Sequence, residues 1–533
     1  MALTSAHVFT QSPTPAGPQR DKPGVQTGTG IIRGRILGPD AMPLRRVRVR
    51  LTPMAVEGMD SRMTVTGDDG RYEFGQLPTG RYGLSASKGG YVDIEYGQRR
   101  PFEKGRPIDL GNGQVQERID LTLPQGAVVT GRVTDESGEP VAQASVQLSR
   151  YRFLNGRRRL TYVFGDTTDD RGEFRIFGVP PAEYFLSADQ SGDFGRSSDP
   201  LRYVRTYFPG TAAVADAQRI RVKLGEELSG VALALIRQRV ASISGVVRSS
   251  TATPAALTMV MARPADGDDV GHDDISGAEG AFSITGILPG NYTVEARSFF
   301  GGDRASAQVT VGNADIAGVV LTISAGAAAR GRIRFEGGSP PRDLSPSGVV
   351  MFAVSATGGE GSDAPKPVRS DWTFELTGLH GQLMLAGGTV GDWGIKTITI
   401  GGSDFTESTI DFSKGDVEGI DVLLSNRHSE IAGRVTDSRG AVAGDASVVI
   451  FPEDPDKWTA LTSRIGSARP DQQGRFSLKG LPAGRYLAIA LDYLEEGEEH
   501  DPDLLKEWAR FATAFTLGDG ESRTIDLKVT QTN

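Results

Sequence analysis

One recurring pattern limits the fold of this chain more than any other feature. Each copy opens with a Gly-Arg-Val-type segment and continues, further on, into Asp-x-x-Gly-x-Phe and Leu-Pro-x-Gly-x-Tyr. The clearest closing halves are Asp69-Gly70-Arg71-Tyr72-Glu73-Phe74 with Leu77-Pro78-Thr79-Gly80-Arg81-Tyr82, and Gly474-Arg475-Phe476 with Leu481-Pro482-Ala483-Gly484-Arg485-Tyr486. Gly172-Glu173-Phe174 with Tyr184, and Gly280-Ala281-Phe282 with Tyr292, lie between them. The opening glycines are Gly34, Gly131, Gly245, Gly331 and Gly433, with successive spacings of 97, 114, 86 and 102 residues. Units of that length are far longer than solenoid repeats, so each is expected to own a core.

The local chemistry of the pattern is that of short strands and tight turns. Asp-x-x-Gly supplies a side chain that folds back on its own backbone and a residue free to take positive φ. Pro78, Pro181, Pro289 and Pro482 cannot donate to a strand ladder and therefore mark strand ends or bends. The tyrosine after each bend enters an apolar run, as in Tyr486-Leu487-Ala488-Ile489-Ala490, and reads as a core anchor. In Val47-Arg48-Val49-Arg50-Leu51 the apolar residues face one way and the arginines the other, as in a sheet with one solvated face. With 69 glycines, 29 prolines and 7% aromatic residues, the composition fits an all-β chain of many short strands.

The reading is five tandem Ig-like or transthyretin-like (prealbumin-like) β-sandwiches at 29–125, 126–238, 239–326, 327–427 and 428–533, behind a disordered leader at 1–28. Short junctions limit the freedom between neighbours. The fourth copy diverges: His380-Gly381 replaces Pro-x-Gly and the anchoring tyrosine is absent, so the same fold with a looser bend is expected. One short C-terminal helix is expected in the last copy. Asp501-Pro502-Asp503 supplies its cap, and Leu504, Leu505, Trp508 and Phe511 form an apolar stripe that should cover the open end of the sandwich. The stretch Asp492 to Glu507 holds eight acidic residues against Lys506 and reads as a solvated loop.

Chemistry-bearing motifs are sparse. Catalytic zinc needs about three protein ligands on a rigid frame, yet His7, His272, His380, His428 and His500 are scattered and none stands in His-x-x-Glu or His-Glu-x-x-His spacing. There is no cysteine and no Gly-x-Ser-x-Gly elbow. Acidic groups such as Asp68-Asp69-Gly70 and Glu498-Glu499-His500-Asp501 do not reproduce an EF-hand, and turn chemistry accounts for them. No enzymatic activity, metal or cofactor is read. A net charge of −9 gives no reason to expect nucleic acid as a partner, and no apolar run reaches the length of a membrane span. The remaining candidate is an aromatic platform for a polysaccharide. Tyr151, Phe153, Tyr162 and Phe164 flank the Arg157-Arg158-Arg159 turn, and Tyr203, Tyr207 and Phe208 follow; Tyr151, Tyr162, Arg158, Tyr203 and Tyr207 are the ligand-binding candidates.

The signatures resemble the carboxypeptidase regulatory-like domain of the transthyretin-like and starch-binding-like folds. The second copy carries the resemblance best, through Gly131-Arg132-Val133, Gly138-Glu139-Pro140-Val141-Ala142-Gln143-Ala144-Ser145-Val146 and Thr168-Asp169-Asp170-Arg171-Gly172-Glu173-Phe174. The whole chain is similar to large exported bacterial proteins built of such domains. That resemblance implies a non-catalytic scaffold or binding protein of the cell envelope, at the periplasm or cell surface, with an envelope protein or a polysaccharide as partner. Ala2-Leu3-Thr4-Ser5-Ala6-His7-Val8-Phe9 looks like the tail of a truncated secretory signal.

Overall fold

A computed structural model describes residues 28–54, 60–154, 157–190, 201–250, 254–265, 272–299, 302–342, 344–355, 365–389, 393–459 and 462–531. The signal-like segment and the leader up to residue 27 lie outside the described residues. Strand accounts for 57% of the described residues and helix for 5%, and the fold is all-β sandwich. The residues group into two compact units. One comprises Met1–Lys88, Asp93–Tyr96 and Gly105–Leu123; the other comprises Gly89–Val92, Gly97–Lys104 and Pro124–Asn533.

The repeated residues coincide with one repeated sheet. Each opening strand (Gly30–Leu37, Ala127–Thr134, Ala241–Ser249, Ala327–Phe335 and Glu430–Thr436) is central. It pairs antiparallel with the strand after Asp-x-x-Gly and parallel with the strand that closes the copy. The parallel register shifts at the repeated glycine in the second, third and fourth copies. There a Cβ on Gly131, Gly245 or Gly331 would run into the carbonyl oxygen of Val231, Val319 or Ile420 on the closing strand. Gly34 and Gly433 meet the carbonyls of Ile119 and Ile525 in the same way. The glycine of Gly-x-Val is therefore a close-approach residue.

A second sheet faces the first, and the side chains between them separate into distinct cores. Val133, Leu148, Phe174 and Leu186 belong to one; Val247, Val260, Phe282 and Val294 to the next; Ile333, Met351, Phe374 and Leu385 to the next; Val435, Ile450, Phe476 and Ala488 to the last. The tyrosines anchor these cores as their position predicts. The hydroxyls of Tyr82, Tyr184 and Tyr486 donate to the carbonyls of Pro78, Pro180 and Pro482 at 2.7, 2.8 and 2.7 Å. The turn aspartates are occupied by backbone: Asp169 accepts from the amides of Arg171 and Glu173, and Asp471 from those of Gln473 and Arg475.

Two expectations need correction. In the fourth copy the strand Gly394–Ile400 pairs with Val417–Ser425 and so joins the sheet of the opening strand; its counterpart in the third, Arg304–Val311, pairs with Gly290–Ser298 in the facing sheet. The divergence is thus an exchange of sheets and more than a looser bend. The helix Pro502–Trp508 forms with Asp501 as its cap, but it covers a sheet face and not the open end of the sandwich. Val448, Ile450, Tyr486, Ala488 and Ala490 point into the core between the sheets, while Val449, Phe451, Leu487, Ile489 and Leu491 point to the opposite face. Leu505 and Trp508 pack on that opposite face, whereas Phe511 lies beyond the helix and is 64% exposed.

Candidate functional site

The second copy contains the longest hairpin described, Ala144–Leu154 with Arg157–Thr167, 11 residues a strand. Its base is part of the sandwich: Val146 and Leu148 are core residues. Beyond the base the alternation continues but the chemistry changes, and Arg150 and Arg152 follow on the same side. The other side carries Tyr151 and Leu160 opposite each other, and Phe153 opposite Arg158.

The arginine side is met by two segments distant in sequence. Arg150 makes a 2.5 Å ion pair with Glu495 and places its guanidinium 3.9 Å from the centre of the Phe102 ring. Arg152 lies 3.8 Å from Glu496. The segment Gly97–Lys104 supplies Phe102 and also Glu103, whose carboxylate accepts from the amides of Arg99 and Arg100 at 3.0 and 3.4 Å. Glu103 pairs at 3.2 Å with Arg469, and their side chains are only 4% and 7% exposed. Arg469 donates further to the carbonyls of Lys104 and Asp445, each at 3.0 Å. Arg99 pairs with Asp445, and Arg100 lies 3.7 Å from Asp492. The Glu496 amide donates to the carbonyl of Phe102 at 3.2 Å.

Part of the acidic run is therefore ion-paired, Glu495 with the largely buried Arg150 and Glu496 and Asp492 with the more exposed Arg152 and Arg100, and the expected solvated loop is corrected for that part. Burial raises the Glu498 carboxyl above its ordinary range, with Arg150 opposing. Burial likewise raises the Tyr493 hydroxyl and lowers His500. Several buried atoms here have no hydrogen-bond partner among the described residues: Nη1 of Arg150, Nε of Arg469, Oδ1 of Asp492 and Nδ1 of His500. Such orphans add a desolvation cost that offsets part of the ion-pair attraction.

The candidate ligand residues are only partly brought together. Tyr151 is half-buried, set edge-on to Phe185 at 5.5 Å, and Arg158 sits 4.8 Å over its ring. Tyr207 is 3% exposed, packed with Leu160 and Phe185, and so offers no face to a ligand; its hydroxyl is buried without a partner. Tyr203 stands apart, hydrogen-bonded to Glu136 and with Arg237 5.6 Å over its ring. Burial first, then the Glu136 carboxylate, push its hydroxyl up to about 12. Tyr162 is 62% exposed, and Phe177 of the strand Glu173–Val179 is exposed too, with Arg175 5.7 Å over its ring. Phe177 and the buried arginine cluster were missed by sequence reasoning. Alternation of Phe177 with core residues Phe174 and Ile176 carries the first signal; nothing local carries the second.

Residues 31–124 and 128–198 match the family model of the carboxypeptidase regulatory-like domain. These two segments are similar to carboxypeptidase regulatory-like domains. The long hairpin lies within the second matched segment. No curated protein matches the chain. Among solved structures, the chain is similar to the TIE protein of Bacillus anthracis, at 11% identity and TM-score 0.15 over 76% of this chain and 74% of that one. It is also similar to a streptococcal ancillary pilin, at 12% identity and TM-score 0.19 over 55% and 98%. The minor pilin of Streptococcus agalactiae matches at 13% identity and TM-score 0.21 over 39% and 95%. Likenesses of that size carry no functional argument. Among the described residues, no helix is long and apolar enough to cross a membrane, and no group of three or more His, Asp or Glu side chains is placed to hold a metal ion.

Proposed function

We propose that the chain is a non-catalytic, exported scaffold of the bacterial cell envelope, with five tandem β-sandwiches at 29–125, 126–238, 239–326, 327–427 and 428–533 that present loops to a protein partner. The observation that carries this reading is the braced hairpin of the second matched segment. Arg150 is held from one side by Glu495 and Phe102, while Tyr162 on the same hairpin is left in solvent. A projecting strand pair fixed from behind loses little freedom when its outer residues bind, which favours association. Tyr, Phe and Arg are also the residue types that anchor protein interfaces. Export rests on the sequence resemblance.

The test is capture of envelope proteins by the full chain, compared with a Tyr162→Ala/Phe177→Ala double variant. Loss of a specific partner with an unchanged circular-dichroism melt is expected; identical capture by both proteins refutes the hairpin as the presenting element. Carbohydrate binding is the second reading, favoured by the exposed ring of Tyr162 beside polar neighbours. A glycan array with wild type and Tyr162→Ala tests it, and silence of the wild type rejects it.

A further inference from the structure

Each opening strand has a closing strand beside it, and the copies differ in what meets the far edge of that closing strand. In the fourth copy Gly394–Ile400 runs antiparallel along Val417–Ser425 and covers the edge. In the fifth, Leu527–Thr530 pairs with Gly484–Leu491 as well as with the opening strand. In the third, Ile316–Ile323 pairs with the opening strand Ala241–Ser249 and with no other strand among the described residues. Just beyond it, Ser324 donates its amide to the Arg304 carbonyl at 3.1 Å and accepts from the Arg304 amide at 3.0 Å, turned away from the opening strand. Residues of a strand offer their backbone groups to alternate sides, so Val320 and Thr322 point theirs the same way as Ser324, where no described strand meets them.

The third copy also lacks the charges that stand at this edge elsewhere. In the first, fourth and fifth copies the residue after the opening glycine lies beside Asp120, Asp421 and Asp526. Asp120 accepts from the Arg35 amide at 2.7 Å, Asp526 from the Arg434 amide at 2.9 Å, and Asp421 pairs with Arg332 and Arg334 at 2.7 and 2.8 Å. The second copy has Ala232 there, but Arg132 beside it keeps a charge. In the third, Val246 lies beside Val320, and no charged residue or proline occurs from Ile316 to Ser324. Asp315, one residue earlier, is turned to the Ser242 amide at 2.8 Å. Val320 is 52% exposed, and Thr322 is exposed too. An open, uncharged edge strand is a template for pairing with another chain.

We propose that this edge joins two molecules of the chain, Ile316–Ile323 pairing antiparallel with the same strand of a second molecule. Antiparallel is the sense in which the fourth copy covers the equivalent edge from within its own chain. A two-fold axis at Leu321 sets Val320 of each molecule opposite Thr322 of the other, so that every free amide of the two residues meets a free carbonyl. The pairing stops at Ser324, whose groups Arg304 already holds. Both facing side chains are β-branched and exposed, and they form cross-strand pairs without like charges. A charged partner strand finds no counter-charge on this strand, whereas a second molecule brings an edge as neutral as its own. Pairing along so few residues covers little surface, so the dimer is weak and forms at high concentration. The inference is independent of what the hairpin of the second copy binds.

The experiment is sedimentation of the full chain from micromolar to millimolar concentration, where a reversible monomer–dimer equilibrium is expected. Val320→Asp installs the residue that the first, fourth and fifth copies carry, and Thr322→Pro removes an edge amide while sparing the bonds to the opening strand. Each should weaken dimerisation at least tenfold, and Tyr162→Ala should leave it unchanged. Should a variant misfold, hydrogen exchange of the unaltered protein decides: the amides of Val320 and Thr322 must slow as the dimer forms. A monomer at every concentration overturns the proposal and leaves the edge to a strand of some other protein. A dimer whose Val320 and Thr322 amides exchange as in the monomer, or one that both edge variants leave intact, places the contact on another surface and overturns it equally.

Discussion

Replacing Glu103 by alanine should loosen one docking contact by a predictable amount while leaving the sandwich cores intact. The substitution leaves the Arg469 guanidinium, 7% exposed, without its carboxylate, and removes the acceptor of the Arg99 and Arg100 amides. Breaking a buried ion pair from one side costs ~3–5 kcal/mol. The carbonyls of Lys104 and Asp445 still accept from Arg469, so the lower end, ~3 kcal/mol, applies here. None of these groups belongs to a sandwich core, so the loss should appear as local opening of Gly97–Lys104 and not as global unfolding. At ~1.4 kcal/mol per decade, the open population rises about 100-fold. The reporter is the Glu496 amide, which donates to the Phe102 carbonyl and touches neither substituted group. Native-state hydrogen exchange at that amide should accelerate by about two decades with the melting temperature almost unchanged. Glu103→Met combined with Arg469→Met removes both charges together and should restore most of the protection. Unchanged exchange at Glu496 in the single variant refutes the reasoning, as does a fall in the global melt that matches the exchange.

Trp508→Ala should cost roughly 3–5 kcal/mol, because the indole is buried on the outer sheet face with Phe451 and Leu491; Phe511→Ala should leave the thermal melt unchanged. Glu498→Gln should raise the melting temperature at pH 7. Burial holds the Glu498 carboxyl above its ordinary value, so stability is lost as pH rises through the unfolded value of about 4.3 towards the folded one. The amide keeps an acceptor for the Glu495 N–H, and the gain should vanish below about pH 4, where the wild-type carboxyl is protonated in both states. A gain independent of pH contradicts the assignment.

Much of the fold was legible because its repeated residues act on their own backbone. Gly131, Asp169, Gly172 and Tyr184 each answer a constraint set within one copy: a close approach, a turn, a left-handed residue, a hydrogen bond to a bend. The covered outer face of the last sheet also has a signal in the sequence. Val448-Val449-Ile450-Phe451 and Tyr486-Leu487-Ala488-Ile489-Ala490-Leu491 are unbroken apolar runs, the mark of strands buried on both faces. Two-sided burial of these strands requires a cover on the outer face, and the helix supplies it. The arginine cluster offered no such sign. Arg150 and Glu495 are 345 residues apart, and a run of like charges reads as solvated until its partner is located.

That asymmetry bears on where function can lie. Residues shared by the copies are committed to sheet geometry, and changing one should damage its own sandwich. What differs between copies is free of that duty: the long hairpin with Arg150 and Tyr162, the acidic insert with Glu495, and Trp372 where its counterparts are glycine. The hairpin and insert meet each other through charge, so their departures from the pattern compensate and mainly fix one arrangement. Trp372 is compensated within its own copy, since the indole packs edge-on against Phe335 on the core, and Gln76 likewise takes a φ of 57° where the other copies have Gly178, Gly286, Gly378 and Gly480. Such departures answer to local packing, which leaves the exposed Tyr162 of the braced hairpin as the first place to test for binding.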